Sequence, residues 1–196
     1  ILDKKIFIYV IVYFGGIKMK ISKLTQKFPR RYKALAAGFA GIAAFFLCQH
    51  ILPNILYFNV SPSLPRGIYL AIPGSAYRTG DLVVYEPPDD VRAFCMDRGY
   101  MTEEMLFVKY IAAMPRDVYQ VNQDDHKFTV NEKYLGIAEA YDNVGRTMPK
   151  QYGSHIVPAG EFLPYTGATH SLDGRYTGTV PLSRIKTRLV PLLTEW

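Results

Sequence analysis

Leu106-Phe107-Val108-Lys109-Tyr110-Ile111-Ala112-Ala113-Met114 is a nine-residue apolar run broken only by Lys109. Read as a strand, its alternation puts Phe107, Lys109 and Ile111 on one face. A lysine between two large hydrophobes on a buried face loses hydration, which disfavours the ammonium and lowers its pKa. Moving a lysine from about 10.4 to about 8 takes about 3–4 kcal/mol of desolvation, which buried lysines do experience. The resulting neutral amine can take a proton from a hydroxyl. The competing reading is an edge-strand lysine that snorkels to water.

Short strands extend outward from this run in both directions. Gly67–Ile72 alternates loosely, Pro73-Gly74 makes a turn, and residues 81–85 hold a Leu-Val-Val-Tyr segment bounded by Gly80 and Pro87-Pro88. The polar stretch 88–104 reads as a loop or a short helix. Val118–Val121 and Lys127–Val130 flank Asn122 to His126, which predicts a hairpin with Asp124-Asp125 at its tip. Residues 134–138, Glu161–Tyr165 and 185–192 are further candidates. Turn formers recur about every ten residues, so the expected fold class is mostly β.

The chain has 196 residues and a net charge of +6, unevenly placed. Residues 1–33 hold nine Lys/Arg against the single acid Asp3, a net of +8. The remainder carries fourteen basic and sixteen acidic groups, a net of −2. A nucleic-acid surface needs its basic patch on the fold itself, so nucleic acid is not an expected partner. From Ala34 to Pro65 no Lys, Arg, Asp or Glu occurs, and every residue from Ala34 to Cys48 is apolar or glycine. About 20 such residues cross a bilayer core, so residues 34–58 are expected to contain one transmembrane helix.

Seven Lys/Arg between Lys18 and Lys33 precede that run, which places 1–33 in the cytoplasm and 59–196 in the periplasm. The run exceeds a signal-peptide core, and no small-x-small site follows it, so an uncleaved anchor is expected. Residues 1–18 read as an upstream extension or a weak interfacial segment, with Met19 as a natural start. Cys48 and Cys95 are far apart and no Cys/His spacing suggests a metal, so no metal or cofactor is expected. None of His50, His126, His155 or His170 stands in a Gly-x-Ser-x-Gly setting. Of these, His170 is the candidate to line a site.

A partner for the amine lies directly after the anchor, in Asn59-Val60-Ser61-Pro62-Ser63-Leu64-Pro65-Arg66-Gly67-Ile68-Tyr69. Pro62 and Pro65 restrain the backbone on either side of Ser63, as a nucleophile needs. A depressed-pKa lysine is one known activator of a serine. Ser61, two residues earlier, points to the same side and could join the Ser63 amide in stabilising an oxyanion. The plain alternative is a membrane-proximal Ser-Pro turn. Further on, in Thr169-His170-Ser171-Leu172-Asp173-Gly174-Arg175-Tyr176, Ser171 could orient the Lys109 amine while Asp173 and Arg175 pair.

Together the three pieces resemble the signal peptidase I-like serine–lysine peptidases, in their plasmid conjugative-transfer (TraF-type) branch. The resemblance rests on Asn59-x-Ser61-x-Ser63-Leu64-Pro65-Arg66-Gly67-Ile68-Tyr69, on Phe107-Val108-Lys109-Tyr110-Ile111-Ala112-Ala113-Met114-Pro115-x-Asp117, and on Ser171-x-Asp173-Gly174-Arg175-Tyr176-x-Gly178-x-Val180-Pro181. It implies a β-rich peptidase domain with Ser63 as nucleophile, Lys109 as general base, Ser61 and Ser171 in support, and Asp173–Arg175 as a structural pair. It also implies a membrane-inserted, pilin-like precursor as substrate, with cyclisation as a variant outcome. Two positions depart from the family pattern. Gly174 stands where a second serine is usual, and Arg116 replaces the glycine of a Pro-Gly-Asp turn. The other functions open to this sequence are a non-catalytic assembly subunit of a transfer apparatus and a general type I signal peptidase.

Overall fold

Glycine, proline and Asx punctuation cuts the chain into short strands: β1 (Leu56–Asn59), β2 (Gly67–Ile72), β3 (Leu82–Tyr85), β4 (Phe107–Ala113), β5 (Val118–Val121), β6 (Lys127–Val130), β7 (Lys133–Ile137), β8 (Gly153–Ile156), β9 (Glu161–Tyr165), β10 (Val180–Pro181) and β11 (Ile185–Thr194). The computed structural model describes residues 36–43, 45–46 and 54–195. It divides into the units Ile1–Phe45 and Phe46–Trp196. In the first, residues 36–43 are helical and exposed. Among the described residues no helix is long and apolar enough to cross a membrane. The basic segment 1–33, and residues 34–35, 44 and 47–53 of the anticipated anchor, lie outside the described residues.

The second unit is mostly β, as expected. Antiparallel pairing builds a seven-stranded sheet, β1-β2-β11-β3-β4-β9-β10, and a four-stranded sheet, β7-β6-β5-β8. Residues 56–58, read above as the end of the membrane segment, instead form most of β1. Leu56 lies opposite Leu70 and Asn59 opposite Gly67, while Tyr57 packs on the cluster of Leu64, Tyr69, Leu82, Val84 and Leu189. The cross-strand backbone pairing outweighs the helical reading that apolar composition alone suggests. The hairpin β5–β6 and the strands β2 and β9 have the predicted bounds, and β11 runs two residues further than expected. β8 and β10 were not anticipated, being short and, in β8, largely polar.

The stretch 88–104 contains a helix, Asp89–Asp97. Val91 and Cys95 are its buried residues, and with Phe94 they pack on Met101, Phe107 and Leu172. This i, i+3, i+4 stripe caps the part of β4 that carries Lys109. After β4, Met114-Pro115-Arg116-Asp117 turns with Arg116 at φ 80 and the Asp117 N–H donating to the Met114 carbonyl at 3.0 Å. A proline followed by a positive φ is the arrangement of a type II turn. Arg116 therefore takes a backbone conformation that favours glycine.

Candidate active site

In β4, Lys109, Ile111 and Ala113 are buried while Tyr110 between them is exposed, as the alternation requires. Val83 of β3 lies directly opposite Lys109. Phe107 places its ring centroid 5.8 Å from the Lys109 Nζ, and the helix Asp89–Asp97 closes over Phe107. Lys109 is left 6% exposed. Burial pushes its pKa down from about 10.5 to about 8, Asp173 opposing the fall and Arg175 adding to it. The amine is therefore half-neutral at about pH 8, with desolvation as the main cause.

Two hydroxyls meet this amine. Nζ donates to the Ser171 Oγ at 2.6 Å and lies 3.4 Å from the Ser63 Oγ. The longer contact is at the loose end of hydrogen-bond reach, as catalytic contacts often are before substrate binds. Ser63 sits half-buried in the β1–β2 loop, held by Leu64, which is buried. The Ser61 Oγ is 3.0 Å from the Ser63 Oγ and accepts from the Ser63 N–H at 3.3 Å. The two anticipated oxyanion donors are thus adjacent but engaged with each other. A substrate oxygen reaching the Ser63 N–H has to displace the Ser61 hydroxyl.

Behind Ser171 stands a second buried cation. Arg175 is 1% exposed and Asp173 0%. Their pairing is bidentate, Nε to Oδ1 at 2.9 Å and Nη2 to Oδ2 at 3.0 Å. Arg175 further donates to the carbonyls of Ile137, Ala168 and Ser171, and its guanidinium lies 5.1 Å from the Tyr165 ring centroid and 5.4 Å from that of Tyr176. Asp173 also caps the short helix Gly174–Thr177 by accepting from the Arg175 N–H, and accepts from the Thr166 N–H at 3.1 Å. This network fixes the turn that presents Ser171 to Lys109. Gly174 has a packing reason to lack a side chain, because a Cβ there would lie 2.6 Å from Leu163 Cδ1 and 2.8 Å from the Pro164 carbonyl oxygen.

The structure therefore brings together Ser61, Ser63, Lys109, Ser171, Asp173 and Arg175 from sequence positions more than a hundred residues apart. His170, the one histidine weighed for a role, is exposed and hydrogen-bonds to none of them. The sequence alone assigns no purpose to the helix over Lys109. Its Val91, Phe94, Cys95 stripe was the available signal.

Residues 31–193 match the family described as signal peptidase, peptidase S26. The chain is also 29% identical over 184 residues to the plasmid transfer protein TraF of Escherichia coli, a match that covers 84% of this chain and 98% of that protein.

Proposed function

The chain belongs to the signal peptidase family, peptidase S26, and on that premise we propose that it is a membrane-anchored serine endopeptidase working through a Ser63–Lys109 dyad. The observation that carries the reading is an amine 6% exposed, without a carboxylate partner among the described residues, in contact with the hydroxyls of Ser63 and Ser171. Neutral Lys109 takes the proton of Ser63 as Oγ attacks the scissile carbonyl. The tetrahedral oxyanion accepts from the Ser63 N–H and from a rotated Ser61 hydroxyl. As the C–N bond breaks, Lys109 returns the proton to the leaving amine. Water then hydrolyses the acyl-enzyme, with Lys109 again as base. Ser171 holds the amine toward Ser63, and the Asp173–Arg175 pair holds Ser171.

Substrate access has a structural counterpart. β9 pairs with β4 only from Tyr110 onward, so among the described residues Phe107 to Lys109 have β3 on one side and no strand on the other. An extended peptide adding a strand at that edge would pass beside Ser63. A membrane setting is supported by the uncharged run from Ala34 and by an apolar row in the domain. Phe58 lies opposite Ile68, and Ile68 opposite Leu193, with Phe58 and Leu193 each 70% exposed. This row adjoins the nucleophile loop, in keeping with cleavage of a precursor close to a bilayer surface and with a periplasmic catalytic domain. Likeness to a plasmid transfer protein supports a conjugative role, with a pilin precursor as substrate and cyclisation as an alternative fate of the acyl-enzyme.

Precursor processing by membranes carrying Ser63→Ala or Lys109→Ala tests this reading. Both variants should insert, fold and leave the precursor uncut. Normal processing by either removes the dyad, and normal pilus assembly by both points to an assembly subunit instead. Cleavage of many unrelated exported precursors would mark a general signal peptidase.

A further inference from the structure

The β1–β2 loop has an internal problem that one side chain solves. Residues 60–66 include Pro62 and Pro65, which contribute no N–H, so the loop is poor in backbone donors. Its carbonyls at Ser61, Leu64 and Pro65 nevertheless converge on one point. That point is the side-chain Nδ2 of Asn59, at 3.0, 3.2 and 3.1 Å. The Asn59 Oδ1 accepts from the Ser61 N–H at 3.2 Å. One amide thereby spans both ends of the segment that carries Ser63. The orientation of the amide is dictated as well, since reversing it would set Oδ1 against three carbonyl oxygens.

The two halves of the loop differ in their other supports. Leu64 is buried, the Tyr69 hydroxyl donates to the Pro65 carbonyl at 2.6 Å, and the Glu195 N–H donates to the Arg66 carbonyl at 2.9 Å. In the half holding Ser61 and Ser63, Val60, Ser61 and Pro62 are exposed, and among the described residues its hydrogen bonds besides those to Asn59 are the Ser61–Ser63 contacts and the 3.4 Å contact from Lys109 Nζ.

We propose that Asn59 is the positioning residue of the nucleophile loop, its amide setting the distance from Ser63 to Lys109 without touching the amine. The inference rests on Ser63 being the nucleophile. It is specific about the donor: Asn59→Asp keeps the shape but turns a carboxylate oxygen on the three carbonyls, and Asn59→Ala removes the donors without adding charge.

The test is acylation of the full-length protein in detergent by p-nitrophenyl acetate across pH, with the acyl group mapped to Ser63 and rates expressed per folded molecule. Asn59→Asp should lower the plateau rate about 100-fold, the scale of a misplaced reacting group, while the pH midpoint stays where Lys109 sets it. Asn59→Ala should show a smaller loss with the same midpoint, and it decides the matter if Asn59→Asp does not fold. A plateau within about threefold of the parent in a folded variant overturns the proposal, because a merely structural turn residue changes only the folded fraction. A displaced midpoint also overturns it, since Asn59 would then be acting through the amine. Full acylation of Ser63→Ala at another residue overturns both this proposal and the nucleophile assignment. Loss of acylation in Ser63→Ala with full rates in both Asn59 variants overturns this proposal alone.

Discussion

Lys109 and Arg175 are the two cations buried among the described residues, and they are handled in opposite ways. Arg175 has a carboxylate in bidentate contact, three carbonyls and two nearby rings. Lys109 has two hydroxyls and an aromatic neighbour, and among the described residues no carboxylate in ion-pairing contact. A buried charge that is fully paired stays charged and serves as scaffold. One that is only hydrogen-bonded can shed its proton, and its burial becomes chemistry. Ser171 lies between them, its hydroxyl facing Lys109 and its carbonyl facing Arg175.

Removing each cation should separate the two roles. Lys109→Ala is expected to lower kcat for precursor cleavage by about a thousandfold or more, as losing a general base does in a dyad that acts as a unit. Arg175→Met should act on the fold instead, costing about 3–5 kcal/mol in chemical denaturation because Asp173 is left buried and unpaired. If Arg175→Met folds with parent stability, the scaffold role is wrong.

The stability of Lys109→Met gives the same contrast with its sign reversed. The folded-state pKa near 8 lies below the unfolded value near 10.5, so the unfolded chain binds more protons between those values. The penalty for burying the ammonium is therefore fully present below pH 8 and disappears as pH rises to about 10.5. Relative to Lys109→Met, the parent should gain about 3 kcal/mol over that window. A pH-independent difference between the two would contradict the desolvation.

Smaller effects concern the frame around the pair. Gly174→Ser should cost about 1–3 kcal/mol by overpacking against Leu163 and Pro164, seen as a lower melting temperature. Arg116→Gly should raise stability by about 1 kcal/mol by relieving a positive φ, and leave cleavage rates unchanged. A change in rate would tie that turn to the dyad.

Much of the site could be read from the sequence because its signals are local. The lysine announced itself as the one charge in an apolar alternation, and Ser61, Ser63, Ser171, Asp173 and Arg175 stood in short recognisable motifs. What stayed hidden depends on contacts made at a distance. Arg175 binds the carbonyl of Ile137, thirty-eight residues away, and no propensity marks a carbonyl as a partner. β1 was masked by the apolar run that leads into it, since burial in a sheet and burial in lipid select the same residues. The helix over Lys109 lies in a stretch rich in charge, and its Val91, Phe94 and Cys95 become meaningful only beside Phe107 and Leu172.

The proposed chemistry depends most directly on the ionisation of one amine. Full-length protein with 13Cε-labelled lysine, its Lys109 signal assigned by comparison with Lys109→Met, can be titrated by NMR. One lysine resonance should titrate with a midpoint about 8 and be absent from the variant, as a desolvated Lys109 requires. A Lys109 resonance titrating with the ordinary lysines, near 10.4, would contradict it.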